Sequence, residues 1–243
     1  MMLEIVTAGA LTTVQDMGRE GYARFGYRRS GACDKYALQM ANLLAGNLDN
    51  PELPVLEFTL CGGVIRFLRE TVIALTGADM QGTIDGIKAA RYQPVTVKAG
   101  QTLVLGNAVK GLRAYLAVNG GIQVPQAMES GSTDVTVKIG GKDGRALKAG
   151  DRLESGSESC IDYINAVRGR EDDMAVGKDK VLLRNPLSPW RSVGGELIPV
   201  LRVVKGPQEE YFTDKGMDML ERSLYRVSPD SNRMAVRLSG NAV

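Results

Sequence analysis

The stretch TTVQDMGREGYARFGYRRSGACDKYALQMANLLAGN, residues 12–47, contains the features that decide the fold of this chain. In its first half, glycines recur every three to five residues between Gly18 and Gly31. Such a density favours tight turns and close backbone approach over a continuous strand or helix. We therefore predict an ordered loop over this part of the stretch.

The second half of the stretch predicts a helix over residues 35–45. Asp34 is suited to the N-cap position, because its side chain can accept a hydrogen bond from an amide of the first turn. Apolar residues then recur at i, i+3, i+4 and i+7 from Ala37 to Leu44, which is the spacing of one helix face. Gly46 follows as a C-terminal stop signal.

Short β-prone runs separated by turn residues dominate the rest of the first 155 residues. The runs at 55–60, 64–68 and 72–76 predict an antiparallel meander, and the dipeptide at 85–86, Asp-Gly, is typical of a tight hairpin. One helix among many strands favours a β-barrel or sandwich over an alternating α/β sheet. The predicted fold class is mainly β with few helices, and further strands are predicted at 3–7, 80–84, 95–98, 103–105 and 113–118.

The domain organisation is predicted from a change in composition. Residues 1–155 are predicted to form a first β lobe. Residues 156–196 have high charge and little apolar periodicity, which is typical of a linker or a surface excursion. Residues 197–243 are predicted to open a second β lobe, with a short helix capped by Thr213 and strands at 197–204, 224–227 and 234–238.

The overall charge gives no support for nucleic-acid or membrane partners. The 243 residues include 30 basic and 28 acidic side chains, for a net charge of +2. No apolar run approaches the ~20 residues that span a bilayer, and Glu4 stands where a signal peptide would carry positive charge. Three isolated cysteines without CxxC spacing, Cys33, Cys61 and Cys160, fit a reducing compartment, so a cytoplasmic protein is expected.

The sequence contains no histidine. This excludes the serine–histidine triad, the cysteine–histidine dyad and the usual histidine-ligated zinc site, and no metal site is predicted. Catalysis by this chain must therefore use carboxylates, lysine, tyrosine, hydroxyl groups, backbone amides or a bound cofactor.

One group of candidate functional residues lies in the glycine-rich loop. Arginine presents a planar fork that suits carboxylate or phosphate recognition, although a solvated face with structural ion pairs explains the same spacing. Asp16 is a candidate acid or base, whereas Asp34 is more readily explained as the helix cap. The loop arginines lie close to Gln15 and Asp16 in sequence, at Arg19, Arg24, Arg28 and Arg29.

A second group lies near residues 113–134. Arg113 and Tyr115 alternate onto one face of their predicted strand, and Gly120-Gly121 follows at its end, where backbone amides could approach an anion. Core packing and a hairpin turn explain these residues as well. The segment SGSTD, residues 130–134, offers hydroxyl groups and exposed amides but lacks the lysine and spacing of a nucleotide-binding loop.

Several long motifs resemble one known family over essentially the whole chain. In order they are TTVQDMGREGY, SGACDKYALQMANLLAGN, LEFTL, ALTGAD, GLRAYLAVNGGI, SGSTD, VVKGPQEEYFT and SNRMAVRL. The chain resembles the KipA-type family, also called allophanate hydrolase subunit 2 or the biotin-dependent carboxyltransferase family. It departs from the family at Cys33, where methionine is usual, and at 233–238, where RMAVRL replaces RMGYRL.

The resemblance implies two cyclophilin-like β-barrel lobes. Family members normally continue with a glycine- and threonine-rich segment that contains a TTGGY-like motif, so the second lobe is expected to be incomplete in this chain. An unfinished sheet would leave an edge to be covered by another chain.

The resemblance also directs attention to a set of site residues. Asp16, Arg19 and Arg113 are the expected catalytic residues. The segments that carry them are predicted to meet, so that the loop from Gln15 to Arg29 lies against the strand from Arg113 to Gly121 and against SGSTD. The expected substrate-binding residues are Thr13, Gln15, Ser30, Gly31, Asp34, Tyr115, Gly120, Gly121, Ser130 and Thr133.

Three functions are compatible with the resemblance. The first is a component like the C subunit of an ATP-dependent 5-oxoprolinase, which would work with a KipI-like B subunit and a LamB/YcsF-like A subunit and would use ATP bound in the complex. The second is a KipA-like regulatory protein that antagonises a KipI-like kinase inhibitor. The third is a carboxyltransferase component related to urea carboxylase; because no AMKM-like motif occurs, biotin would have to arrive on another chain.

Overall fold

The computed structural model describes residues 2–157, 163, 165, 190–193, 196–199, 204–231 and 235–241. The chain divides into two compact units, Met1–Arg184 and Asn185–Val243.

The described part of the first unit is built from short strands. Their bounds are β1 Leu3–Thr7, β2 Leu11–Gln15, β3 Val55–Thr59, β4 Val64–Phe67, β5 Thr71–Asp79, β6 Thr83–Ile84, β7 Ile87–Lys88, β8 Pro94–Val97, β9 Thr102–Val104, β10 Lys110–Val118, β11 Ile122–Gln123 and β12 Arg152–Ser155.

These strands form two antiparallel sheets. The seven-stranded sheet has the order β11-β12-β1-β4-β9-β6-β7, and the five-stranded sheet has the order β2-β3-β10-β5-β8. The main hydrophobic core combines residues of both sheets, such as Ile5 and Phe67 from one and Leu56 and Leu116 from the other. Each of these side chains is at most 1% exposed, so burial of apolar surface between the sheets is the main stabilising term.

The prediction of a mainly β fold is confirmed, but one strand was missed and one local prediction is wrong. Residues Leu11–Gln15 form a strand that was not predicted, because its partner β3 lies 40 residues away in sequence. The predicted meander is not formed: β3 pairs with β2 and β10, whereas β4 pairs with β1 and β9. The barrel closure of the lobes stays a prediction.

Gly63 allows the chain to pass from one sheet to the other between β3 and β4. A Cβ at this position would lie 2.0 Å from the carbonyl oxygen of Thr7. Only a residue without a side chain permits this approach of two backbones, so glycine is required at this turn.

Helix α1, Lys35–Leu44, covers the outer face of the five-stranded sheet. Asp34 caps it, since its Oδ1 accepts a hydrogen bond from the Ala37 amide at 2.9 Å. Ala37, Leu38 and Ala41 are fully buried, and they pack with Tyr115 and neighbouring small residues of the sheet. Full burial of the Leu38 side chain stabilises the contact by about 1.5–3 kcal/mol. The helix predicted at 35–45 is confirmed to within one residue.

The described part of the second unit contains two hairpins and one helix. Strands β13 Trp190–Val193 and β14 Glu196–Pro199 pair with each other, as do β15 Arg226–Val227 and β16 Leu238–Ser239. Helix α2, Asp214–Arg222, is capped by Thr213, whose hydroxyl oxygen accepts from the Gly216 amide at 3.0 Å, as predicted. The strand predicted at 234–238 is formed only in part. Among its described residues, 235–237 lie outside any strand, and only Leu238 belongs to one, β16, where it pairs with Val227.

Most of the predicted linker at 156–196, including Cys160, lies outside the described residues, and the predicted domain boundaries stay predictions. In the part of the chain that the structure describes, no helix has the length and hydropathy of a membrane span.

Candidate functional site

Asp16 ties together two segments that are distant in sequence. Its Oδ1 accepts hydrogen bonds from the Gly18 amide at 2.7 Å and from the Ser130 hydroxyl at 2.7 Å, and also from the Ser132 hydroxyl. Its Oδ2 accepts from the Gly131 amide at 2.5 Å. We call these residues the Asp16 cluster: Asp16, Gly18, Ser130, Gly131 and Ser132.

The Asp16 cluster is buried, with Asp16 8% exposed and both serines fully buried. A carboxylate that accepts four hydrogen bonds holds the loop after β2 against residues 130–132, and each bond to a charged group is worth about 1.5–3 kcal/mol. The predicted contact between this loop and the SGSTD segment is therefore present. The expectation that this segment exposes its amides is wrong for Gly131, whose amide is bound by Asp16.

Arg19 lies behind the same cluster and is 2% exposed. Its Nε donates to the Ala127 carbonyl at 3.2 Å and its Nη2 donates to the Ser132 carbonyl, while Nη1 is buried without a hydrogen-bond partner among the described residues. Burial lowers the pKa of Arg19, and the carboxylates of Asp16 and Asp134 oppose that shift. Its guanidinium remains charged at neutral pH.

Thr13, Gln15 and Thr133 meet beside the Asp16 cluster. The Gln15 side chain donates from Nε2 to the Thr13 hydroxyl at 2.9 Å and to the Thr133 carbonyl at 3.1 Å. The Thr133 amide donates to the Val14 carbonyl at 2.9 Å, so the end of SGSTD covers the outer edge of strand β2. Oε1 of Gln15 is buried, and no described residue donates a hydrogen bond to it.

Ser30 and Gly31 reach the cluster because two glycines allow their backbones to touch. A Cβ on Gly31 would lie 2.7 Å from the Gly18 nitrogen, and Gly31 has φ +82°. Ser30 also has a positive φ of 54°, and its hydroxyl donates to Asp134 at 3.3 Å. The next residue, Ala32, donates its amide to the Asp16 carbonyl at 2.8 Å, which leads the chain towards helix α1.

A second polar cluster lies on the helix-covered face of the five-stranded sheet. Glu57 on β3 is directly opposite Thr13 on β2 and Tyr115 on β10. Its Oε2 accepts from the Tyr115 hydroxyl at 2.9 Å and from the Cys33 amide at 3.1 Å, and its Oε1 lies 3.7 Å from Nε of Arg113. We call Cys33, Glu57, Arg113 and Tyr115 the Glu57 cluster.

The electrostatics of the Glu57 cluster keep Tyr115 protonated. Burial, followed by the negative charge of Glu57, raises the pKa of the Tyr115 hydroxyl far above its ordinary value. Tyr115 is therefore a permanent donor to Glu57, and its oxygen accepts the Asp34 amide at 2.8 Å. This arrangement fixes the start of helix α1 against the sheet.

Arg113 differs from its buried partners because 21% of its side chain is exposed. Its Nε is buried and makes no hydrogen bond to the described part of the chain, and the Glu57 carboxylate is near enough for an ion pair. Arg113 thus combines a fixed position with access to the surface, which is the combination that a ligand-binding arginine needs.

Gly120 and Gly121 do not join either cluster. They follow the opposite end of β10, at least seven residues beyond Arg113, which is about 20 Å of extended chain. The Gly120 amide donates to Asn47 at 2.8 Å and the Gly121 amide donates to the Val118 carbonyl at 2.9 Å. The prediction that these amides face an anion is therefore contradicted by their internal partners. The register places Arg113 beside Thr59, which pairs with Leu11 at the start of β2, whereas the loop follows Gln15 at the other end of that strand.

A surface depression of about 360 Å³ adjoins the Asp16 cluster at Gly18. Its volume lies at the lower end of the ~300–1,000 Å³ typical of small-molecule sites. The charged side chains that line it are Glu20, Arg29, Glu52 and Glu129.

Glu57 is the main residue that the sequence reasoning missed. A signal was present: in LEFTL, Glu57 interrupts an apolar run and alternates to the face opposite Leu56 and Phe58, which are core residues. A charged residue inside a buried strand needs a partner, and the register across β3 and β10 supplies Tyr115 and Arg113.

The first unit is thus an antiparallel β domain with two buried polar clusters. The carboxylate of Asp16 holds the loop after β2, and the carboxylate of Glu57 holds the chain just before helix α1. The chain belongs to the family described as carboxyltransferase domain, subdomain A and B, which matches residues 25–243. This finding confirms the resemblance expected from the motifs.

Known relatives support this membership. The chain is 39% identical over 239 residues to the C subunit of 5-oxoprolinase from Escherichia coli strain K12, covering 98% of this chain and 69% of that protein. It is 35% identical over 247 residues to urea amidolyase of Saccharomyces cerevisiae, covering 98% of this chain but 12% of that much longer protein. The crystal structure of the K. lactis urea amidolyase is similar with a TM-score of 0.75 and 32% identity, over 99% of this chain and 14% of that one.

Proposed function

We propose that this chain is the C-type component of a cytoplasmic, ATP-dependent 5-oxoprolinase complex that opens the lactam of 5-oxoproline to glutamate. The observation that carries the proposal is the 39% identity to the C subunit of a 5-oxoprolinase, which extends over 98% of this chain and therefore over both polar clusters. The proposed partners are a KipI-like protein and a LamB/YcsF-like protein, the B and A subunits of the same complex.

Arg113 is proposed to recognise an oxyanion of the substrate. Opening of the lactam adds the oxygen of water to the ring carbonyl carbon and breaks the C–N bond, and the nitrogen takes a proton. Negative charge develops on the carbonyl oxygen, and 5-oxoproline also carries a carboxylate. A guanidinium held in place beside Glu57 and partly exposed suits either group without any histidine.

Asp16 and Arg19 are proposed to act by holding the loop that borders this site. Their side chains are buried and their hydrogen bonds run to residues 127–132, so a direct contact with substrate would require those bonds to open. Their catalytic roles, expected from the resemblance, stay predictions.

ATP does not fit the SGSTD segment of this chain. Gly131 donates its amide to Asp16, and the segment lacks the lysine of a phosphate-binding loop. We therefore propose that another member of the complex holds ATP.

A carboxyltransferase role is the second candidate, favoured by the family match and by the likeness to urea amidolyase. A KipA-like regulatory role is the third. One experiment separates them: the chain is mixed with the KipI-like and LamB/YcsF-like proteins, and glutamate release from 5-oxoproline is measured with and without ATP and with each protein omitted. Release that needs ATP and this chain supports the proposal.

Two other results would contradict the first proposal. Carboxyl transfer from carboxybiotin carried by a separate carrier protein, without glutamate release, would favour the carboxyltransferase role. Binding of the KipI-like protein with no turnover in either assay would favour the regulatory role.

A further inference from the structure

Gly77 on strand β5 has an arginine on each side of it. On one side, strand β10 pairs with β5 at Gly77, one residue beyond Arg113. On the other side, Arg91 donates from Nη1 to the Gly77 carbonyl at 3.0 Å. The next amide, that of Tyr92, donates to the Leu75 carbonyl at 2.7 Å, so this segment lies beside β5. The backbones of the two arginines are therefore about 10 Å apart, which is two strand spacings.

Both arginine side chains lie on the helix-covered face of the five-stranded sheet. Arg113 alternates onto this face together with Tyr115, which packs against helix α1. On β5, Ala78 is a core residue, so Asp79 points to the opposite, helix-covered face. Arg91 lies on that face as well, since its Nη2 is 3.7 Å from Oδ2 of Asp79. The two guanidinium groups therefore border one surface.

The residue between the two arginines has no room for a side chain. A Cβ on Gly77 would lie 2.4 Å from the Arg113 carbonyl oxygen and 3.1 Å from Cδ2 of Tyr115, and Gly77 has φ +78°. Tyr92 also has a positive φ, of 55°, and its hydroxyl oxygen accepts the Gly77 amide at 3.0 Å. Backbone strain of this kind persists where the surrounding contacts fix it, and it is concentrated at ligand-binding sites.

Tyr92 connects this surface to the start of helix α1. Burial raises the pKa of the Tyr92 hydroxyl; the hydrogen bond from the Gly77 amide opposes that shift, and the nearby charge of Asp34 adds to it. The helix itself is fixed to β5, because the Thr76 hydroxyl donates to the Ala37 carbonyl at 2.7 Å. The surface between the arginines is thus held in shape by both the sheet and the helix.

The N–H groups of both guanidinium groups are largely unused. Arginine offers several N–H donors in a planar fork. Within the described part of the chain, the Arg91 side chain makes one hydrogen bond, to Gly77, and the Arg113 side chain makes none. Their carboxylate partners, Asp79 and Glu57, are each 3.7 Å away, which is close enough for an ion pair but too far for a hydrogen bond. These carboxylates balance the charge of the arginines and leave directed donors for a ligand.

We infer that Arg91 binds the carboxylate of 5-oxoproline while Arg113 faces the ring carbonyl oxygen of the same molecule. The inference rests on the proposed function, and Arg91 is not among the residues predicted from the sequence. 5-Oxoproline carries both oxygen groups on carbons attached to the same ring nitrogen, so two arginines can hold it at two points. Arg113 suits the developing charge because Glu57 and Tyr115 hold it at a buried network. Arg91 lies towards β8, the outer strand of the sheet, and suits the permanent carboxylate.

The test compares two compounds that differ only in the carboxylate, 5-oxoproline and 2-pyrrolidinone, as substrates of the reconstituted complex. Arg91→Gln is expected to lower kcat/KM for 5-oxoproline about 10- to 100-fold, mainly through KM, and to leave that for 2-pyrrolidinone unchanged. Arg91→Lys keeps the charge but loses the fork, so a smaller loss in the same direction is expected. Arg113→Lys should lower the turnover of both compounds. The matched control is Arg66→Gln, whose side chain pairs with Glu4 at 3.5 Å on the other sheet.

A second measurement does not depend on turnover. Both compounds are titrated into the complex without ATP, and binding is followed by calorimetry. The wild-type complex is expected to bind 5-oxoproline more tightly than 2-pyrrolidinone. Arg91→Gln is expected to remove that difference, and Arg66→Gln is expected to keep it.

Three results would overturn the inference: an unchanged preference for 5-oxoproline in both Arg91 variants, equal losses for the two compounds, or a wild-type complex that binds neither. Equal losses would mean that Arg91 only supports the fold around Gly77. Glutamate release with an unchanged preference in the Arg91 variants would refute this inference alone. Carboxylate-dependent binding that Arg91→Gln abolishes, without any glutamate release, would refute the proposed reaction alone.

Discussion

Tyr115 donates its hydroxyl proton to Glu57 across strands β10 and β3 at 2.9 Å, and both side chains are at most 1% exposed. The same hydroxyl accepts the amide of Asp34, the residue that caps helix α1. One buried oxygen therefore connects the sheet, the helix start and a carboxylate.

Removal of that hydroxyl is expected to destabilise the fold. Tyr115→Phe leaves Glu57 and the Asp34 amide each without one partner, which should lower the free energy of unfolding by about 1–3 kcal/mol. Urea denaturation followed by circular dichroism measures the change. Tyr36→Phe, on a half-buried tyrosine of the same helix, is the control and should change the free energy by no more than about 0.5 kcal/mol. Equal stability of the two variants would show that the Glu57 contact contributes nothing.

The contact between Gly18 and Gly31 is expected to exclude any side chain. Gly31→Ala places a Cβ 2.7 Å from backbone atoms of Met17 and Gly18, so it should destabilise the fold by more than about 2 kcal/mol. Gly21→Ala is a matched control, because Gly21 has a similar φ of +80° but no described atom within 4 Å of the added carbon. That control should cost only the left-handed conformation, about 1 kcal/mol. Thermal unfolding of both variants tests the difference, and a Gly31→Ala protein as stable as Gly21→Ala would contradict the close approach.

Arg113 and Arg19 are expected to respond differently to loss of the guanidinium fork. If Arg113 recognises an oxyanion, Arg113→Lys in the reconstituted complex should reduce kcat/KM about 30- to 1,000-fold, corresponding to about 2–4 kcal/mol, with little change in stability. Arg19→Lys loses hydrogen bonds to buried carbonyls, so its main effect should be on the free energy of unfolding. Glutamate release and urea denaturation are measured on both. A fully active Arg113→Lys complex, or a stable but inactive Arg19→Lys complex, would exchange the two roles.

Asp151 is expected to contribute to stability on the acid side. Its hydrogen bonds with Arg145, at 2.7 and 2.8 Å, lower the pKa of Asp151 below the ordinary value of 3.8. Because the folded state binds this proton more weakly than the unfolded state, the contribution is complete above about pH 4 and is lost as pH falls through the folded pKa. The free energy of unfolding is measured by urea denaturation between pH 6 and pH 2. It should fall less with decreasing pH for Asp151→Asn than for the wild type. Identical acid dependence would assign the acid sensitivity to other carboxylates.

Local signals in the sequence predicted local structure well. The capped helix at Asp34 and the hairpin at 85–86 depend on neighbouring residues only, and both are formed. Strand β2 and the pairing of β3 depend on contacts between distant segments, which composition and periodicity do not report. For the same reason the Asp16 cluster was predicted only as a meeting of segments, and Glu57 became visible only when the register placed it beside Tyr115.

The close approach of Gly18 and Gly31 makes the intervening twelve residues a closed loop with its ends clamped, in the manner of an Ω-loop. No described atom lies within 4 Å of a carbon added at Gly21 or Gly26, so the tip of the loop has room for added side chains and a substitution there costs only the positive φ of these glycines, whereas the base has no such room. An affinity tag or a segment from a related protein could therefore be exchanged at the tip without disturbing the buried carboxylates beneath it. The tip of the loop can therefore diverge in sequence while the fold of the domain stays constant.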